Sequence, residues 1–178
     1  MKKKLIRALV IVAIVLALIV IFSSFYVVPE NEYACTVRFS KIIATQDQPG
    51  LYFKVPFVDS VRSFPKAIMV YDIPPSEVLT ADKQNMTVDS YVLWRVTDPL
   101  RFFQTLGSVS VAEERLDAMT YNALKNVMGT LAQKDIINED AIDERNDIYA
   151  GIATNVAAIA KTYGIEVVDV KIKRFEDR

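Results

Sequence analysis

From Leu5 to Val28 the chain is apolar apart from Arg7, Ser23, Ser24 and the amphipathic Tyr26, and Ala8 to Phe22 carries no polar side chain. At about 1.5 Å per residue this run makes a helix of roughly 36 Å, against a hydrocarbon core of about 30 Å, which is long enough to cross with some tilt. Beyond it the pattern breaks into short extended pieces. Tyr33 to Phe39 reads as a strand, and Gln48-Pro49-Gly50 marks a turn before Leu51 to Val55. Pro56, Pro65, Pro74 and Pro75 favour short extended segments over helices.

The clearest strand runs from Met86 to Thr97. Met86, Val88, Val92, Trp94 and Val96 share one parity, interrupted by Ser90, while Tyr91 and Leu93 make the second face partly apolar, as expected of a central strand. Asp98-Pro99 is an N-cap followed by Pro at the first helical position, which predicts a short helix from Leu100 to Leu106, ended near Gly107. Ser110-Val111-Ala112-Glu113 reads as a capping box, after which Ala112, Leu116, Met119, Ala123 and Val127 recur on one face until Gly129. A second long helix is predicted from about Asp140 to Tyr163, with Ile142, Ile148, Ile152, Val156, Ile159 and Tyr163 inward and Gly164 as its stop. Ile165 to Phe175 returns to strand, with Val168, Val170 and Ile172 alternating against Asp169, Lys171 and Lys173. The sum is an α+β body on a membrane stalk, one domain of ordinary size.

Charge gives the stalk a direction. All four charges before Val28 are basic (Lys2, Lys3, Lys4, Arg7), and the remainder holds 17 basic against 22 acidic residues, a net of −5. The basic flank is expected to stay in the cytoplasm, with the body outside it. A cleaved leader is the rival reading, but Ser23-Ser24 followed by Phe25-Tyr26-Val27-Val28 makes a poor cleavage site. Ala13 and Ala17 form a small-xxx-small pair that either lets two anchors pack or reflects an Ala-rich run.

Composition removes much chemistry. The 178 residues contain no His and one Cys, which excludes Ser-His and Cys-His nucleophile pairs, His-ligated zinc, CxxC redox pairs and internal disulfides. The near-neutral charge gives no footprint for nucleic acid. Asp140, Asp143, Glu144 and Asp147 fall at i, i+3, i+4 and i+7, a carboxylate face that lacks the His of helical-bundle metal sites and reads as a solvated helix start. Cys35 reads as a small strand residue. A Ser nucleophile with a Lys base, as in a membrane peptidase, stays open in principle, although no Gly-x-Ser-x-Gly or Ser-x-x-Lys motif places one. Phosphate-cradling glycine motifs are missing too. No catalytic, cofactor-binding or metal residue is assigned. Tyr52, Phe53 and Phe57 lie near the membrane exit and fit either interfacial anchoring or core packing.

Residues 28 to 175 resemble the SPFH or band-7 family of stomatins, prohibitins, flotillins and the bacterial HflK and HflC proteins. The resembling stretches are Val28 to Tyr33, Val37 to Lys41, Pro49 to Asp59, Leu79 to Lys83, Val88 to Pro99 and Tyr163 to Val170, in that order and spacing. The extreme N-terminal anchor, the Leu79-Thr80 segment and Val92 to Pro99 are most similar to the HflC-type protease-modulator subunits. The resemblance implies an N-terminal transmembrane helix (residues 1–28) followed by an SPFH/band-7 domain (29–178) with a mixed sheet and packed helices. It also implies a non-catalytic scaffold without cofactor in the bacterial cell membrane, single-pass, forming a homo- or hetero-oligomer with an HflK-like partner and modulating a membrane AAA protease of FtsH type. A generic stomatin-like membrane-organising role is the neighbouring reading. Two departures stand out: Ser40 occupies a place where Gly is usual, and the sequence stops at Arg178 where relatives continue into a long assembly-forming helix.

Overall fold

A computed structural model describes residues 2–133, 136 and 142–177, with side-chain burial described for 3–133, 136 and 146–175. The α+β class holds, in two compact units, residues 1–65 and 66–178.

The first unit opens with helix α1, Lys2–Ser23, 22 residues or about 33 Å. It stops five residues short of the end of the apolar run. The Ser23 and Ser24 hydroxyls both donate to Val20 O (3.2 and 2.7 Å), engaging a carbonyl at the helix end. The aromatic and β-branched run that follows favours extended backbone. Phe25–Val28 therefore forms strand β1 rather than a last helical turn. Strands β2 (Glu32–Arg38), β3 (Lys41–Gln46), β4 (Gly50–Phe53) and β5 (Asp59–Pro65) follow. They make a two-stranded sheet, β1-β4, and a three-stranded one, β3-β2-β5. Phe39, expected in the strand, instead shares the β2–β3 turn with Ser40. Both have positive φ (48° and 63°), the sign that a two-residue hairpin of type I′ requires.

The second unit contains β6 (Met69–Leu79), β7 (Asn85–Val96), α2 (Pro99–Thr105), α3 (Val109–Met128), α4 (Ile142–Ala160), a 3₁₀ turn at Lys161–Tyr163 and β8 (Ile165–Asp177). Its sheet order is β6-β7-β8 with both pairs antiparallel, so β7 is central, and Met86, Val88, Ser90, Val92, Trp94 and Val96 are all buried on its inner face. Pro74 and Pro75 do not end β6. They sit at a register shift between Ile73 and Ser76 on an edge strand, where a missing N–H breaks no ladder bond.

Three further expectations are corrected. The N-cap of α3 is Ser108, whose Oγ accepts from Val111 N at 3.4 Å, so the helix starts ahead of the proposed capping box. Ile159 is 43% exposed while Ala160 is buried, because the inward row on α4 is Ile152, Val156, Ala160, at i+4 steps. In β8 a bulge opposite Leu93 and Trp94 leaves Val168 47% exposed and lets both Val167 and Val170 face the core. As predicted, the Asp98 side chain caps α2 through Arg101 N, and Gly164 takes the left-handed conformation after α4.

Candidate functional site

Helix α1 is long and apolar enough to cross a membrane, and its apolar side chains are exposed along its length. Only Ser24 separates it from β1, so the first sheet begins where the helix ends. β1 and β4 pair with Phe25 opposite Phe53 and Val27 opposite Leu51. Directly opposed residues share a face. These four side chains are 45–72% exposed, an apolar face turned to the surroundings. Tyr26 and Tyr52 lie on the other face, stacked with centroids 5.8 Å apart. The Tyr26 hydroxyl reaches Thr36 Oγ1 at 3.1 Å and the Tyr52 hydroxyl donates to Gln48 O at 2.8 Å.

The same end of the unit carries two more exposed aromatics. Lys54 N donates to Ser24 O at 2.7 Å, tying the segment after β4 to the helix exit. Arg38, the last residue of β2, grips Asp59, the first of β5, through Nε–Oδ1 at 2.6 Å and Nη2–Oδ2 at 2.9 Å. Val55 N adds a third bond to the carboxylate at 2.9 Å. The Asp59 side chain is only 2% exposed. The Arg38 hydrogen bond, helped by Val55 N–H and by the charges of Arg38 and Lys54, holds its carboxyl below the usual range against the opposing effect of burial. Arg38 is correspondingly held above its usual value by that bond. Beyond this clamp stand Phe39 (84% exposed) and Phe57 (88% exposed), the latter at φ 65°. A bulky residue at positive φ is strained, and here two such residues present their rings outward.

Of the three aromatics picked from the sequence, Phe53 and Phe57 join this exposed surface, while Tyr52 turns to the opposite face. Phe25, Val27, Phe39 and Leu51 were missed. The parity of Phe25 with Val27 and of Leu51 with Phe53 was the available signal, hidden because β1 continues an apolar run. Ala13 and Ala17 lie one helical turn apart and exposed on α1. Cys35 is fully buried, its Sγ 3.9 Å from Thr45 Oγ1. Of the acidic series, Asp140 and the side chains of Asp143 and Glu144 lie outside the described residues, and Asp147 is exposed. Among the described residues no group of three or more His, Cys, Asp or Glu is placed to hold a metal. In the second unit a cleft of about 220 Å³ opens between α3 and α4, lined by Arg115, Met119, Asn122, Asn155 and Ile159 among others.

Residues 26–177 match the family model described as SPFH domain / Band 7 family. The chain is 30% identical to the Modulator of FtsH protease HflC of Escherichia coli, over 94% of this chain and 63% of that protein. It is 32% identical to Protein HflC of Borreliella burgdorferi (92% and 52%) and 29% identical to Protein HflC of Haemophilus influenzae (87% and 55%). The chain thus spans less than two thirds of the length of the curated relatives it matches.

Proposed function

The chain belongs to the SPFH domain / Band 7 family, and from that premise we propose that it is a membrane-anchored, non-catalytic scaffold of HflC type. In this reading the anchor expected over residues 1–28 is helix α1, ending at Ser23, and the body expected over 29–178 takes in strand β1 as well, with the N-terminus in the cytoplasm and the body on the far side of the bacterial cell membrane. The body assembles with an HflK-like partner and modulates a membrane AAA protease of FtsH type. Support for the protease connection comes from the relative in Escherichia coli, a modulator of FtsH protease by its name.

The observation that carries the membrane part is the continuity between α1 and the exposed face of Phe25, Val27, Leu51 and Phe53. An apolar surface adjoining a spanning helix is stable at the headgroup level, where aromatic and aliphatic side chains leave water without the whole domain entering hydrocarbon. We infer that this face rests there.

The test is mild-detergent extraction of the tagged full chain from its own membranes, with sizing and mass spectrometry of co-purifying proteins. A large assembly containing an HflK-like protein and a membrane AAA protease is expected. A small particle with neither refutes the modulator role, and a large assembly lacking the protease shifts the reading to a stomatin-like membrane organiser. Orientation is read with Glu30→Cys and an impermeant thiol reagent, Cys35 being buried. Labelling in intact cells is expected, and labelling only after lysis reverses the topology.

A further inference from the structure

The globular part of the first unit, residues 24–65, holds four acidic residues (Glu30, Glu32, Asp47, Asp59) and four basic ones (Arg38, Lys41, Lys54, Arg62). Its net charge is zero, but the strand registers separate the signs. Arg38 pairs with both Lys41 and Asp59 across the sheet, and Lys54 N is bonded to Ser24 O, so Arg38, Lys41, Lys54 and Asp59 share the end at which α1 enters. Glu32 pairs with Pro65, and Val28 with Gly50, which puts Glu30, Glu32 and Asp47 at the opposite end. The helix-proximal pole has three cations against one carboxylate, the distal pole three carboxylates, and the fourth cation, Arg62, pairs with Cys35 midway along the β2–β5 ladder.

At the proximal pole the single carboxylate is consumed by Arg38. Lys41 and Lys54 are left without a salt bridge among the described residues. Lys54 is near enough that its charge assists, after the Arg38 hydrogen bond, in holding the Asp59 carboxyl low. Both lysines flank the exposed rings: Lys41 follows the Phe39-Ser40 turn, and Lys54 lies between Phe53 and Phe57. An aromatic ring at the acyl boundary with an ammonium beside it puts that ammonium at the depth of lipid phosphates, within reach of a counter-charge that the protein does not supply.

We propose that the helix-proximal pole binds anionic phospholipid headgroups, with Lys41 and Lys54 on the phosphates and Phe39, Phe53 and Phe57 in the acyl boundary. The inference rests on the membrane seating of this face described above and adds a lipid class to it. The distal carboxylates serve the same orientation, since they are repelled from an anionic surface.

The test uses the full chain in phosphatidylcholine vesicles containing a minority of phosphatidylglycerol, with bromine atoms on the acyl chains of one lipid or the other. Phe57→Trp supplies a fluorescent probe at the tip. Trp94 is fully buried and its signal is subtracted using the parent chain. Each lysine near an anionic surface is worth about fivefold, the equivalent of about 1 kcal/mol. Brominated phosphatidylglycerol, corrected for its abundance, is expected to quench the probe up to about 25-fold more than brominated phosphatidylcholine, about fivefold from each lysine. Lys41→Gln and Lys54→Gln should each reduce that preference by about fivefold, and salt at 1 M, with a screening length of about 3 Å, should abolish it while quenching itself persists.

Equal quenching by the two lipids, or a preference that survives both substitutions, overturns the lipid assignment and leaves the seating intact. No quenching by either lipid overturns the seating as well. Phe53→Trp repeats the measurement from a regular strand position should Phe57→Trp fail to fold.

Discussion

Replacing Gly164 by Ala tests how the second unit closes on itself. Gly164 has φ +76°, and its carbonyl accepts from both Thr97 N (3.1 Å) and Asp98 N (3.0 Å), joining the end of β7 to the start of α2. A Cβ placed there meets Asp98 O at 2.5 Å, Phe102 N at 2.8 Å and the Arg101 Cβ at 3.1 Å. Two of these are backbone atoms of a capped helix and cannot swing away. The left-handed backbone costs an L-residue about 1–2 kcal/mol, and overpacking adds about 1–3 kcal/mol. Reduced freedom of the unfolded chain returns about 0.4–1 kcal/mol, leaving a net loss of about 2–4 kcal/mol.

Gly151 provides the opposite case with the same chemistry. It is exposed on α4, with nothing within 4 Å of its would-be Cβ. Gly151→Ala should stabilise the protein by about 0.5–1 kcal/mol. Trp94, the sole tryptophan, is fully buried and stacks on Phe102 at 6.5 Å, so its fluorescence reports on the region that the clash disturbs. With a urea dependence of about 2 kcal/mol per molar, the midpoint in detergent should fall by about 1–2 M for Gly164→Ala and rise by a few tenths for Gly151→Ala. Gly164→Asn separates the two costs, because Asn tolerates the dihedral but keeps the Cβ, and it should recover only about 1 kcal/mol. Midpoints for the two Ala variants that move in the same direction would refute the packing argument, and complete rescue by Asn would assign the whole loss to the dihedral.

Three other outcomes are expected. The Asp59 carboxyl is held below its ordinary 3.8 in the folded state, so the stability it contributes is present above that value and is lost as pH falls from it through the lowered one; amide hydrogen exchange over residues 24–65 should show the first unit weakening below about pH 4, with Asp59→Asn flat over that window. Ser108→Ala should cost about 1 kcal/mol through loss of the α3 cap while Ser110→Ala stays within about 0.5 kcal/mol, and equal costs would restore the capping box at Ser110. Ser40→Gly relieves a left-handed serine of about 1–2 kcal/mol, offset in part by about 0.5–1 kcal/mol of glycine entropy, so the first unit should gain a few tenths to about 1 kcal/mol in thermal unfolding; a loss would mean that the Ser40 side chain has a role its exposure hides.

What could be read from the sequence divides by the range of the forces involved. The period-2 run of β7, the Asp98-Pro99 cap and the Gly164 stop are local, and each lies where the pattern put it. Strand β1 was illegible because its four residues are as apolar as the anchor before them, and its conformation is fixed by pairing with β4 some 25 positions away on average. The bulge that exposes Val168 depends on the register against β7, which alternation alone does not contain. Ile159 and Ala160 are neighbours on a helix, and which of them points inward depends on how closely α4 approaches its neighbours. Ser108 and Ser110 are chemically equivalent caps, and the start of α3 chooses between them. The apolar surface at the membrane exit shows a deeper limit, since periodicity identifies a face but not the medium the face meets.

That medium can be argued from what the first unit tolerates. Phe39 and Phe57 occupy left-handed positions that Gly or Asn would fill with less strain, and both rings are almost wholly exposed. In water neither feature brings a compensating gain, because an exposed ring buries no surface and a strained turn only weakens its hairpin. Beneath them lies a carboxylate buried to 2% exposure and held by three hydrogen bonds, which fixes the two turns relative to one another. A rigid support under two strained, outward aromatics fits the proposed seating, in which the rings leave water at their tips. The helix ending at Ser23, a single residue from the first strand, says which apolar phase is within reach. On the proposed seating, the gain from moving the rings into it, about 1.5–3 kcal/mol for full burial of each, is enough to offset the strain of about 1–2 kcal/mol at each position, a compensation that water does not supply.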